Sequence, residues 1–437
     1  MTLIGLAYNQ KPEPTELTSP ASEGGRQEDG ELLRPDEEPP SKSVHRSILD
    51  EEPPSKSVHR SIPDEEPPSK SVHRSILDEE PPSKSVHRSI PELVSRDEFA
   101  EWDSPATIAA VESALARLGK VVRLEAKDDF PERLRQVRPD IVFNIAEGIH
   151  GVNREAHVPA ICEFFGIPYS GSDPFTLSLC LDKARTKETL TFYGIPTPRF
   201  AVVEKLEDFK AAAGELSLPL FVKPLHEGSS KGITDSNLCF DLNHLFRQTE
   251  FLLESYKQPV LIEEYLPGKE FTCAVLGNGT DATVLPIVGM NFETLPKGAL
   301  PIYSFDAKFV WDRPESPLDI FQCPARITRE LQASIERVTL DAFRVLGCRD
   351  WARIDVRLDA SGVPNVLEVN PLPGILPDPA DNSCLPKAAR AAGIGYEELI
   401  QNCLKYAAAR QGVDLDHSLS RTSGVQGAPA LAASASA

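Results

Sequence analysis

The apolar positions of this chain fall in two distinct regimes. A first run, Thr2-Leu-Ile-Gly-Leu-Ala-Tyr8, has the length and composition of a buried strand. It gives way to a long polar tract in which Asp36-Glu-Glu-Pro-Pro-Ser-Lys-Ser-Val-His-Arg-Ser-Ile48-Leu49 recurs from Asp50, Asp64 and Asp78 with a period of 14 residues. The last position alternates between Leu and Pro. Two heptads also span 14 residues, but the Pro-Pro in every copy excludes a continuous helix. One Val and an Ile per copy are too little for a solenoid, and the unit cannot bury enough surface to offset its ordering entropy. Residues 11–96 therefore read as a disordered insertion after the first strand. The Ser-Val-His-Arg-Ser elements read as neutral repeat expansion, with kinase or docking motifs as the alternative. Their histidines, 45, 59, 73 and 87, are too widely spaced for a preformed metal site.

Periodicity returns near Glu98. Ser104-Pro105 is an N-cap and first-turn pair. Ile108, Val111, Leu115 and Leu118 then form a helical stripe that ends at Gly119. Strands are predicted at Val121–Leu124 and Asp140–Ile145, and helices around Pro159–Phe165 and from Asp182 to Tyr193. The strand–helix–strand alternation predicts a parallel sheet with covering helices. Leu331, Ile335, Val338 and Ala342 give a helix from Thr328 to Val345 its core face. A last amphipathic helix runs from Tyr396 to Arg410, and the tail after residue 411 is Ser/Ala/Gly-rich.

Chemistry concentrates in a few of these elements. Arg353-Ile-Asp355-Val-Arg-Leu358 and Val366-Leu-Glu368-Val-Asn370-Pro371 flank the turn Asp359-Ala-Ser-Gly362, which predicts a β-hairpin. Glu368 and Asn370 then share a face, with Asp355 on the partner strand. Two carboxylates and an amide oxygen suit Mg²⁺ holding substrate phosphates; a plain polar hairpin face would read the same way. Upstream, the apolar run Pro219-Leu-Phe-Val-Lys223 ends in lysine and enters Glu227-Gly-Ser229-Ser230-Lys-Gly232. Backbone N–H groups of such a loop can cradle phosphate, with the lysine as a point charge. The order differs from a Walker loop, where the lysine follows the glycines. Val260-Leu-Ile-Glu263 continues through Tyr265-Leu266-Pro-Gly-Lys to Glu270 and a second strand at Phe271–Leu276.

Lys223 with its loop, Glu263 to Glu270, and Asp355/Glu368/Asn370, in that order, resemble the ATP-grasp superfamily, and within it the D-alanine–D-alanine ligases. The likeness spans Val121 to Arg410 plus the first strand. It implies an ATP-grasp fold, α/β and α+β, with a parallel-sheet N-terminal lobe (1–10 and 97–181), a central lobe (182–258) and a C-terminal lobe with the metal site (259–411). It implies ATP and Mg²⁺ (or Mn²⁺) as cofactors and amino acids as small-molecule partners. By resemblance, Lys183 and Lys223 would contact ATP phosphates beside Glu227, Ser229 and Ser230. Glu263 and the backbone near Leu266 would read the adenine edge, and Glu270 would bind the ribose hydroxyls. Asp355, Glu368 and Asn370 would hold Mg²⁺, Arg353 would stabilise the tetrahedral intermediate, and Lys308 would lie near the γ-phosphate. Glu155, after His150-Gly151, and Ser383 resemble substrate-pocket positions.

The sequence also departs from the family. No glutamate soon after the first strand can be assigned to receive the first substrate's amino group. The acidic pair expected after His150-Gly151 reads Arg154-Glu155, Phe309 replaces a tyrosine after Lys308, and extra residues separate Gly374 from Ser383. A ligase of other amino or hydroxy acids, or a nucleotide-binding homologue without ligation, are the alternatives to a D-alanine–D-alanine ligase feeding peptidoglycan precursor synthesis. The net charge of −20 argues against a nucleic-acid groove. Eight scattered cysteines with no C-x-x-C pair fit a reducing cytoplasm. No signal-like start or long apolar run suggests a membrane. A homodimer is compatible with the resemblance.

Overall fold

The computed structural model describes residues 1–12, 99–312 and 318–415; the repeats and the tail lie outside them. A first sheet has the order β2-β1-β3, all parallel. It is built from β1 (Leu3–Tyr8), β2 (Lys120–Glu125) and β3 (Ile141–Asn144), with helices α1 (Pro105–Leu115) and α2 (Phe130–Val137) as crossovers. Ser104 caps α1 through its Oγ, which accepts from the Thr107 amide at 3.1 Å. The regular helix stops at Leu115, before Gly119, but all four residues of the predicted stripe are buried. Helices α3 (His157–Phe165), α4 (Pro174–Leu181) and α5 (Lys183–Phe192) follow. Asp182 caps α5, its carboxylate accepting from the amides of Ala184 and Arg185, and so places Lys183 in the first turn.

The second sheet has the antiparallel order β4-β7-β5-β6. Its elements in chain order are β4 (Phe200–Val203), α6 (Phe209–Gly214), β5 (Leu220–Pro224), β6 (Leu238–Cys239), α7 (Leu242–Tyr256) and β7 (Val260–Glu264). Val203, Val222, Leu245, Leu252 and Ile262 form its core. The third sheet holds β8 (Glu270–Leu276), β9 (Thr283–Val284), β10 (Val288–Met290) and β11 (Phe321–Gln322). Then come α8 (Arg329–Val345), β12 (Trp351–Leu358), β13 (Pro364–Asn370), α9 (Cys384–Ala391) and α10 (Tyr396–Gln411). The order is β11-β10-β8-β12-β13, with β9 paired to β8.

The first and third sheets share a hydrophobic core, which includes Ile4, Phe143, Leu276, Trp351 and Leu404. Phe143 stacks on Trp351 with ring centroids 5.3 Å apart. The fully buried Asp350 reinforces this joint: it pairs with Arg410 of α10 at 2.9 Å and accepts from the Gly171 amide at 2.8 Å. No helix among the described residues is long and apolar enough to cross a membrane.

Candidate functional site

The hairpin pattern builds the floor of a cleft. β12 and β13 pair antiparallel with Arg353 opposite Asn370 and Asp355 opposite Glu368, so four polar side chains share one face. The register slips between Asp355 and Val356, leaving Leu367 as the extra residue of a bulge. Asp355 Oδ2 accepts from Arg353 Nη2 at 3.0 Å and from Asn370 Nδ2 at 3.4 Å. Burial would raise the Glu368 carboxyl, but Lys183, Lys223 and Arg353 outweigh it and hold it below the usual range. Arg353, which lines the cleft, has its Nε buried with no hydrogen-bond partner. On the other edge of β12, Arg357 lies opposite Glu270 of β8 and pairs with it at 2.7 Å.

The lysines come from the opposite wall. Lys183 Nζ reaches Glu368 Oε1 at 3.1 Å and donates to the Glu227 carbonyl. Lys223, at the end of β5, and Lys187, one turn beyond Lys183 on α5, both grip Glu263 of β7, at 2.6 and 2.9 Å. Burial would push the Glu263 carboxyl up; the two ammonium groups outweigh it and hold it down at about 2. Burial pulls Lys187 down to about 8, against Glu263. Leu266 lies in the linker to β8 and lines the cleft. Gly268 of that linker is pinned on β12: its amide donates to the Leu358 carbonyl, and a Cβ there would sit 2.5 Å from that oxygen.

The Gly/Ser loop closes over the third side. Ser229 and Ser230 both take left-handed backbone angles, φ 49° and 60°, in a turn closed by the Lys231 amide donating to the Gly228 carbonyl at 2.9 Å. Lys308 Nζ lies 3.3 Å from Ser229 Oγ, and Ser230 Oγ donates to the Tyr303 carbonyl at 2.9 Å. Burial, with Arg353 nearby, lowers Lys308 to about 8. Glu227 pairs with Lys231 at 3.2 Å and lies 3.6 Å from Arg154. Glu101 receives the same two cations at 2.8 and 3.1 Å, which tie the loop to the N-terminal lobe. Glu155 stands nearby, pushed up to about 8 by burial and then by the Glu101 charge. Ser383, at the start of α9, lines the cleft, its Oγ donating to the Gly374 carbonyl at 3.1 Å.

His150 and Gly151 are exposed and do not line the cleft. Glu147, next to Gly148, does. Gly148 (φ 80°) is required there, since a Cβ would meet the Arg154 carbonyl oxygen at 2.2 Å. Other residues in or just behind the cleft escaped the sequence reading. Glu101 follows the long insertion, so nothing local ties it to the first strand. Lys187 had a signal, its i+4 spacing from Lys183. Lys231 and Arg357 read as ordinary charges on a loop and a strand.

The cleft encloses about 370 Å³. One wall of lysines faces one floor of oxygens, the arrangement that a polyphosphate with Mg²⁺ requires. Among the described residues no cluster of three carboxylate, imidazole or thiolate ligands occurs. The donor set is hard oxygen from Asp355, Glu368 and Asn370, which fits Mg²⁺ and not a thiolate-seeking metal.

The three sheets around this cleft are those of the ATP-grasp fold. A D-alanine–D-alanine ligase from Bacillus anthracis, solved with ATP, shares the fold at a TM-score of 0.54 and 24% identity, covering 76% of this chain and 96% of that one. A family model described as D-ala D-ala ligase C-terminus matches residues 190–405. The D-alanine–D-alanine ligase of Xanthomonas axonopodis is 38% identical over 61% of this chain and 77% of its own length. That of Ectopseudomonas mendocina is 35% identical over 67% and 85%. An uncharacterized protein of Sinorhizobium fredii, y4sG, is 37% identical over 62% and 75%. This chain belongs to the D-alanine–D-alanine ligase family, whose members are ATP-dependent ligases.

Proposed function

We propose that the protein joins two D-alanines at the expense of ATP, giving D-alanyl-D-alanine, ADP and phosphate for peptidoglycan precursor synthesis in the cytoplasm. The observation that carries this reading is the shared face of Arg353, Asp355, Glu368 and Asn370 beneath Lys183 and Lys308. A carboxylate is a poor acyl donor because oxide is its leaving group. In the proposed sequence the first D-alanine carboxylate attacks the γ-phosphorus, ADP departs and an acyl phosphate forms. The amine of the second D-alanine then attacks the carbonyl, the C–O bond to phosphate breaks, and the proton lost from nitrogen leaves with the phosphate.

Lys183, Lys223 and Lys308 balance the phosphate charge, and Glu263 holds Lys223 and Lys187 in place. Asp355, Glu368 and Asn370 would hold Mg²⁺, which neutralises the transferring phosphoryl group. Arg353 donates to the developing oxyanion. The loop docked through Ser230 and Lys231 excludes water from the acyl phosphate. Glu101, paired with Lys231 and Arg154, keeps that loop on the N-terminal lobe. Leu266 and its linker flank the adenine, Glu270 the ribose, and Glu155 and Ser383 the amino-acid end.

Arg154, Lys231 and Phe309 at the amino-acid end favour a second reading, a ligase of other amino acids. Phosphate release measured across D- and L-amino acids separates the two. Release with D-alanine and formation of the dipeptide are expected. Silence with D-alanine and release with another amino acid would overturn the substrate while leaving the ligase.

A further inference from the structure

Arg357 is only 5% exposed, yet it sits among three parts of the nucleotide end of the cleft. Its Nη1 donates to Glu270 Oε2 at 2.7 Å, and its Nη2 donates to the Tyr265 hydroxyl at 2.6 Å. Both nitrogens also reach the Pro301 carbonyl at 3.2 Å. The guanidinium lies 4.7 Å from the Tyr265 ring centroid and 5.6 Å from that of Phe292. Tyr265 belongs to the linker between β7 and β8, while Phe292 and Pro301 belong to the segment 291–307, of which Ile302 and Tyr303 line the cleft.

The planar fork of an arginine is what this arrangement needs. One nitrogen fixes one oxygen of Glu270, leaving the other oxygen to accept from a sugar hydroxyl. The remaining donors and the cation's face hold the 291–307 segment and the linker aromatic. A lysine would keep the charge but not the fork.

We propose that Arg357 is a positioning residue that presents Glu270 to the ribose hydroxyls and pins the 291–307 segment over the nucleotide. This rests on the reading of the cleft as an ATP site. Binding, not turnover, tests it, so the outcome is independent of which amino acids are joined. Calorimetry would compare MgATP with its 2′-deoxy and 3′-deoxy analogues on the wild-type chain, Arg357→Lys and Arg357→Met.

The wild type should prefer ATP by about 10-fold or more over at least one analogue, the loss of one hydrogen bond to a charged group. Arg357→Lys should cut that preference at least about 3-fold, and Arg357→Met should nearly abolish it, by the same reasoning. Tryptic cleavage at the exposed Lys297 should quicken in both variants. A wild type blind to both ribose hydroxyls overturns the proposal, as does a preference unchanged in the variants. If Arg357→Met does not fold, Arg357→Lys, which keeps charge and stem, decides by the same ratio. Absence of ATP binding to the wild type would instead remove the nucleotide reading itself.

Discussion

Glu368 shows how one side chain carries two duties. It lies across from Asp355 on the shared face and holds Lys183 at 3.1 Å. Glu368→Ala should lower ATP turnover by roughly 10²-fold or more, by analogy with the loss of a single charge-stabilising donor. Its circular dichroism should stay that of the wild type; wild-type phosphate release from the folded variant would remove the metal-site reading. Lys308 offers a pH signature. Burial and Arg353 lower its ammonium to about 8, so its charge is present below that pH and lost above it. The kcat/KM for ATP, which reports the free enzyme, should fall with a slope of minus one above about pH 8. Lys308→Arg keeps its charge at any such pH and should move this limb upward. A limb that stays put would assign it to another group.

At the scale of elements, the Lys187–Glu263–Lys223 cluster joins α5, β7 and β5 behind the phosphate end of the cleft. Glu263→Gln leaves two buried ammonium groups facing an amide. Breaking a buried ion pair from one side costs about 3–5 kcal/mol. Urea unfolding at neutral pH should show a loss of that order. The sign of the pH dependence follows from Glu263 itself. Its native carboxyl titrates near 2, below its ordinary 4.5, so its contribution is present above pH 4.5 and lost as pH falls toward 2. The gap between wild type and Glu263→Gln should therefore narrow between neutral pH and pH 3. A constant gap would mean that the carboxylate is not what holds these three elements.

For the whole molecule, the question is how a long repeat tract is carried between two neighbouring parts of a sheet lobe. The chain leaves the lobe beside the point where it returns. The Asp103 amide donates to the Asn9 carbonyl at 3.0 Å, and the Lys11 amide to the Asp103 carbonyl at 2.9 Å. The stems are thus held together by the folded lobe. Loop closure depends only on the logarithm of length, so deleting Asp36 to Pro91 should change stability by at most about 1 kcal/mol. Ligase kinetics should be nearly unchanged. A collapsed melting transition or a large loss of activity would mean that the Ser-Val-His-Arg-Ser units dock on the enzyme.

Local periodicity carried much of this protein in its sequence. Alternation placed Glu368 and Asn370 on one face, Ser104 capped its helix, and the turn at Gly362 made the hairpin. Those features depend on neighbours within a few residues, which is what spacing encodes. Resemblance then supplied the family, because its motifs keep their order along the chain. Only the tertiary structure brought Glu101 to Lys231, 130 positions apart, and Arg357 to Glu270, 87 apart. It also brought Glu147 to the cleft, and turned Glu263 toward two lysines. Those pairings depend on which strands lie side by side and which lobe covers the loop. A side chain's charge is legible in one dimension; the partner that neutralises it when water is excluded is chosen in three.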